Sequence, residues 1–328
     1  MTPAAFQSAF AQYLEGFIVH KRAIGYRYTT GAAMLRRFDG FCIRYHGTEQ
    51  LLSKKLVTHW AERRAGESIG TLRIRIVPVR QFALYLRQLG REAYVIPHRI
   101  LPPYHRYVPY IFTDKELASF FAQSDICRRW ARHPIRHLVM PVLFRLLYCC
   151  GLRVSEASHL KVNHVDLHNG VLTVYSGKFG KDRRVPMSEE MTNRCRAYST
   201  RVHAFSDGDS YYFGSSSCEH PLHVKTVYSN FRKFLWDARI SHGGTGKGPR
   251  VHDLRHTFAV HCLSRWVEEG KDLSAYLSIL KTYLGHTHFR ETAYYLRLTA
   301  YVYPTITAQV EQVFAQMIPA IEAPHEGD

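Results

Sequence analysis

Long apolar runs are missing from this 328-residue chain: no stretch approaches the ~18 consecutive apolar residues that a membrane-spanning helix needs. The start, Met1-Thr2-Pro3-Ala4, has no basic region ahead of an apolar one, so no secretory signal is expected and the cytosol is the expected compartment. Cysteine is scarce, with seven at irregular spacing, and an odd, scattered set in so long a chain excludes a disulfide framework. Cys149 and Cys150 are adjacent in an apolar run and are expected to be buried thiols. The nearest thing to a metal site, Cys218-Glu219-His220 with His223, lacks the second cysteine pair of a zinc motif, so no metal and no cofactor are expected. Gly243-Gly244-Thr245-Gly246-Lys247-Gly248 fails as a phosphate-binding loop, because no Ser or Thr follows Lys247 and no strand precedes it. Internal repeats and low-complexity tracts are absent too.

Acid is the scarcest commodity. Against 27 Asp and Glu stand 44 Lys and Arg, a formal charge of +17. Residues 1–97 carry 15 Lys and Arg against 6 Asp and Glu, a net of +9, and the remaining +8 lies beyond them. Both parts of the chain are therefore basic, as a protein gripping a polyanion from two sides would be.

Hydrophobic residues make up 46% of the chain, enough for two packed cores. Residues 1–97 read as four amphipathic helices. Phe6, Phe10, Tyr13, Leu14 and Phe17 line one face, and Met34, Leu35, Phe38, Phe41, Cys42 and Tyr45 line a second that stops at Gly47. A weaker third helix runs through Leu56 and Trp60; the fourth carries Leu72, Ile76, Val79, Phe82 and Leu86 and contains Pro78, a candidate kink. Residues 98–111, rich in proline, have linker composition. A second domain over 112–304 opens with the capping-box pattern Thr113-Asp114-Lys115-Glu116. It mixes helices near 137–150, 225–238, 253–268 and 273–283 with two strands, 171–175 and 184–187, joined by the loop Ser176 to Asp182. The expected fold is an all-α N-terminal bundle followed by a mixed α+β domain, mainly helical with a small antiparallel sheet.

Five segments carry the chemistry: Gly151-Leu152-Arg153-Val154-Ser155-Glu156, Ser176-Gly177-Lys178, His252-Asp253-Leu254-Arg255-His256, Leu284-Gly285-His286 and Tyr295. Charge on the non-bridging oxygens of a phosphodiester in flight can be clamped by two guanidiniums, here Arg153 and Arg255. A lysine and two histidines can move protons, and a phenol can attack phosphorus. No carboxylate cluster of the kind that holds two metal ions falls in these segments. A phenol is a weak nucleophile at neutral pH, and neighbouring cations are expected to favour its phenolate. Tyr294 and Tyr295 are adjacent, so on a helix only one can face the phosphate. Lys178 could protonate the departing 5′ oxygen, and Lys181 in the same loop competes for that role. His256 follows Arg255 directly and is expected to point elsewhere as packing.

In this order, the segments resemble the signature boxes of the tyrosine recombinase/integrase family, which includes phage integrases and Xer-type recombinases. The resemblance implies a core-binding (SAM-like) DNA-binding domain over 1–97, a catalytic domain over 112–304, and a C-terminal helix and tail over 305–328 that docks on a neighbouring protomer, the alternative being that its apolar stripe folds back on its own domain. It implies that Glu156 supports the site, His252 accepts a proton near the nucleophile, Arg255 is the second clamp and His286 bonds the scissile phosphate. Family spacing selects Tyr295 and Lys178. The implied function is site-specific cutting and rejoining of DNA through a 3′-phosphotyrosine, serving integration, excision or transposition of a mobile element. The implied partners are double-stranded DNA sites, a homotetramer on paired sites, and accessory DNA-bending proteins or a partner recombinase, in the cytosol at the nucleoid. A type IB topoisomerase shares the chemistry and a catalytically silent DNA-binding protein shares the charge; free relaxation of supercoiled DNA lacking a site marks the topoisomerase.

Binding to duplex DNA should weaken steeply with salt, with a log–log slope near −0.9 per neutralised phosphate. A flat dependence in fluorescence anisotropy between low and moderate salt would show that the charge is not used on DNA.

Overall fold

The computed structural model describes residues 6–47, 50–98, 107–131, 133–175, 182–214, 218–244 and 248–302. The chain divides into two compact units, residues 1–107 and 108–328. Lys178, Lys181, most of the 98–111 linker and the 305–328 tail lie outside the described residues.

In the first unit, α1 (Ala11–Ala23), α2 (Thr29–His46), α3 (Lys54–Ala61) and α4 (Ile69–Gln88) pack around Leu14, Phe17, Leu35, Phe38, Trp60, Val79 and Phe82. The first helix starts later than the apolar spacing suggests. The Asp39 carboxylate of α2 accepts from the backbone N–H groups of Gln7 and Ser8 at 2.9 and 3.0 Å, which holds that stretch out of the helix. Ser53 and Ser68 cap α3 and α4, accepting from the N–H groups of Leu56 and Thr71. Pro78 sits inside α4, fully within its 69–88 span and buried. Trp60 anchors the core: its indole N–H donates to the Arg75 carbonyl at 3.1 Å, and the buried Arg75 guanidinium lies 5.0 Å over the ring. Arg75 is itself paired with Glu67 at 2.9 Å, which keeps a buried cation compensated.

The second unit begins its helices at α5 (Asp114–Asp125), where Thr113 and Glu116 form the full capping box. Then come α6 (Arg136–Cys149), α7 (Val154–Ser158), a 3-10 turn at Val162–His164, and the strands β1 (Val165–Asp166), β2 (Val171–Val174) and β3 (Arg183–Pro186). The sheet order is β1-β2-β3, antiparallel throughout, with Asp166 opposite Val171 and Leu172 opposite Val185. The helices α8 (Glu189–Val202), α9 (Val224–Asp237), α10 (Asp253–Glu268), α11 (Leu273–Leu284) and α12 (Phe289–Val302) complete it. The mainly helical architecture with one small antiparallel sheet is as expected. Two elements escape the apolar pattern: β1 is two residues long, and α8 is a polar helix that buries only Met191, Thr192, Cys195 and Tyr198. Cys149 is a correction: Cys150 is buried, but Cys149 ends α6 and is exposed.

One core gathers Phe112, Phe120, Phe144, Phe231 and Leu147; another, formed by α10, α11 and α12, gathers Leu263, Leu277, Leu284, Tyr295 and Leu296. Among the described residues, no helix is long and apolar enough to cross a membrane.

Trp60→Ala should cost the first unit about 3–5 kcal/mol, the scale for deleting a buried aromatic. A loss below about 1 kcal/mol in denaturant unfolding would show that Trp60 does not anchor that core.

Candidate active site

Two glycine turns set the site's frame. Gly151 closes α6 at φ +55°, and a Cβ there would come within 2.8 Å of both Leu284 and Phe258. Gly285 ends α11 at φ +67°, with Arg183 lying where its Cβ would be, 2.9 Å away. Each position therefore needs glycine for backbone and for space. Arg153 follows the first at two residues and His286 the second directly.

The C-terminal carbonyls of a helix have no partners within it and carry the negative end of its dipole. At the end of α11 three consecutive carbonyls meet three arginines. Arg183 Nε donates to the Tyr283 oxygen at 3.0 Å, Arg255 to the Leu284 oxygen at 2.6 Å, and Arg153 to the Gly285 oxygen at 3.4 Å. Arg255 donates also to the Gly151 oxygen at 2.5 Å, joining the two turns. Its guanidinium is 1% exposed, while the Arg153 side chain keeps 18% of its surface. Arg255 is thus the floor and Arg153 the rim. Burial, and next the charge of Arg153, lowers Arg255 to about 10, still charged at neutral pH.

Glu156 holds this cluster of cations together. Its carboxylate accepts from Arg183 at 2.9 and 2.8 Å, and from the Arg153 side chain at 2.6 Å and backbone at 2.8 Å. Burial alone would push this acid up, but the hydrogen bonds and charges of Arg183 and Arg153 outweigh it and hold the carboxyl near 2. Three arginines against one carboxylate leave a positive cleft suited to an anion.

Tyr295, on α12, is 2% exposed. Its hydroxyl lies 3.0 Å from Nδ1 of His256, and the His286 ring stacks on it at 5.9 Å and 18°. His286 is held by Thr292, buried on α12, at 2.8 Å. His252 is the exposed N-cap of α10, and its ring meets His256 edge-on at 4.7 Å. Tyr294, partly buried, packs on the core of α10 to α12. Arg153, Glu156, Arg255, His286 and Tyr295 are therefore gathered around the α11 end, with His252 reaching them through His256; Lys178 lies outside the described residues.

Two expectations need correcting. His256 does not point away as mere packing: it lies four residues after His252, so the two share a helix face, and it faces the Tyr295 hydroxyl. The phenol's acidity is the second. Burial raises the Tyr295 pKa and outweighs the lowering by Arg255 and Arg153, so the cations do not favour the phenolate in this state. Sequence reasoning also missed Arg183 and Thr292. Strand alternation offered a signal for the first, since Arg183 shares a face with the buried Val185. Nothing in the sequence marks Thr292. Among the described residues, no group of three or more His, Cys, Asp or Glu is placed to hold a metal ion.

Residues 111–301 match the phage integrase family. A putative integrase/recombinase of Sinorhizobium fredii (strain NBRC 101917 / NGR234) is 31% identical over 294 residues, covering 88% of this chain and 93% of that protein. Tyrosine recombinase XerA of Pyrococcus horikoshii is 28% identical over 72% of each chain. In fold, the chain is similar to the Tn1549 transposon integrase solved with transposon right end DNA, at a TM-score of 0.65 and 16% identity, over 96% of this chain and 100% of that one.

Glu156 binds its proton far less readily folded than unfolded, near 2 against an ordinary 4.5. Its contribution, about 3 kcal/mol at 1.36 kcal/mol per pKa unit, is therefore complete above roughly pH 5 and lost as pH falls from about 4.5 to 2. Glu156→Gln should be less stable at pH 7 by a similar amount, and the gap should close on acidification. A gap that stays constant with pH would show that the ionised carboxylate is not what holds the arginines.

Proposed function

The chain belongs to the phage integrase family of tyrosine recombinases, and from that premise we propose that Tyr295 is the nucleophile with which it cuts and rejoins DNA at specific sites. The observation that carries this reading is the placement of the Tyr295 phenol against the Arg255 floor, with Arg153 at the rim, His256 at the hydroxyl and His286 stacked on the ring.

The scissile phosphate sits on Arg153 and Arg255, whose planar forks match its non-bridging oxygens; an arginine has five N–H donors, more than the backbone carbonyls here consume. His286, its ring fixed by Thr292, donates to the same phosphate. Tyr295 Oη attacks phosphorus in line, the O–P bond forms as the phenol loses its proton toward His252 by way of His256, which stands between them, and the 5′ oxygen leaves with a proton from Lys178. The product is a 3′-phosphotyrosine and a free 5′-hydroxyl. Because the phosphotyrosine keeps the bond energy of the broken diester, a second 5′-hydroxyl reverses the step on a new partner without a nucleotide cofactor. Charge stabilisation by pre-placed arginines is worth most in a cleft this dry.

Residues 1–97 supply a second DNA-binding surface, and four protomers act on paired sites, with the 305–328 tail docking between them. The likeness to a transposon integrase supports a mobile element as the biological setting.

Tyr295→Phe should abolish the covalent adduct on a denaturing gel while leaving DNA affinity nearly intact, and Tyr294→Phe should keep the adduct. The reverse pattern would move the nucleophile to Tyr294. Arg153→Ala should slow cleavage by about 10²-fold or more; cleavage at the normal rate would remove the clamp assignment.

A further inference from the structure

Before any of these steps, His256 already meets the phenol oxygen. The phenol has one hydrogen to donate and lone pairs that accept. Arg255 beside it carries only donors, so it can bond the oxygen but cannot take up that hydrogen. Nδ1 of His256, 3.0 Å away, can. Burial, with the charges of His252 and Arg255 beside it, lowers His256 to about 3, so the ring is neutral at working pH and has a lone pair to offer. His256 is half-buried on α10 and packs edge-on against His252.

We infer that His256 is a positioning residue for the nucleophile, accepting the hydrogen of the Tyr295 hydroxyl at Nδ1 and so fixing where the attacking oxygen and its lone pairs lie before DNA arrives. The two rings and the floor then restrain the phenol from three directions. His286 stacks on its face, the Arg255 guanidinium lies beside the oxygen, and His256 takes the hydrogen. With the hydrogen committed to His256, the lone pairs turn toward the arginine side, where an anion binds. The inference rests on Tyr295 being the nucleophile, and it adds a role that His252 does not fill: His252 sits exposed at the helix cap, one turn from His256.

The test is the single-turnover rate of adduct formation with the full chain pre-bound to a cleavable duplex. His256→Leu removes the acceptor, and His256→Asn restores one near the Nδ1 position. The expected result is a loss of about 10-fold to 10²-fold for His256→Leu, the scale of a misplaced reacting group. DNA affinity should be unchanged, and His256→Asn should stay within about threefold of wild type, since it keeps the acceptor. Adduct formation by His256→Leu at the wild-type rate would overturn the inference. Equal collapse of the Leu and Asn variants, with melting and DNA binding intact, would also overturn it, because a hydrogen-bond acceptor would then not be what matters. If His256→Leu melts early, His256→Phe, which keeps a planar ring but has no acceptor, replaces it with the same two outcomes. Wild type and Tyr295→Phe run alongside. An adduct from Tyr295→Phe would sink the nucleophile assignment and the His256 role together, whereas a normal pair of controls with a normal His256→Leu would sink the His256 role alone.

Discussion

Three carbonyls at one helix end organise everything else in the cleft. The oxygens of Tyr283, Leu284 and Gly285 have no partners within α11, and a buried carbonyl left unpaired costs about 1–3 kcal/mol. Arg183, Arg255 and Arg153 satisfy them, and these arginines come from β3, from α10 and from the turn before α7. A single helix terminus therefore sets the mutual position of a sheet, a long helix and a glycine turn that are far apart in sequence. The cations would repel one another if left unbalanced. Glu156 bridges two of them, and the negative end of the α11 dipole faces all three. What remains is positive charge held rigidly in place, which is what a phosphodiester in transit needs.

The same cleft is dry, and that has two sides. Burial strengthens each electrostatic contact but keeps the phenol protonated, and here it outweighs the lowering by Arg255 and Arg153. In the proposed reaction acidity rises as the oxygen bonds to phosphorus, so the protein's contribution there is geometric, in holding the phenol and the arginines in register, rather than a pre-formed phenolate. The hydrogen bond from Tyr295 to His256 belongs to this logic: it orders an oxygen that is not yet reactive.

How much of this could be read from the sequence depends on whether a residue acts through its side chain or through the backbone. The helix 253–268 was legible to the residue, because apolar spacing and the first-turn Asp253 agree. Arg153, Arg255, His286 and Tyr295 stood out because each lies in a short box of distinctive composition. What could not be read was the hub itself, since carbonyl oxygens belong to every residue and carry no letter. Arg183 was hidden for the same reason, its partners being a carbonyl and a glutamate 27 positions away. His256 was misread because its neighbour Arg255 drew attention to adjacency in the chain, when on a helix the relevant neighbour is four residues back.

Main-chain acceptors give the cleft an unusual relation to mutation. A side-chain ligand can be deleted by one codon change, but the oxygens of residues 283 and 284 persist whatever amino acid occupies those positions. The arginine contacts at the end of α11 are thus buffered against side-chain change, so long as the helix ends where it does. Vulnerability is concentrated instead in the arginines and in Gly285, whose lack of a side chain both reverses the chain and leaves room for Arg183. Homologues should keep an apolar side chain at 284, which is buried in the core of α10 to α12, and glycine at 285.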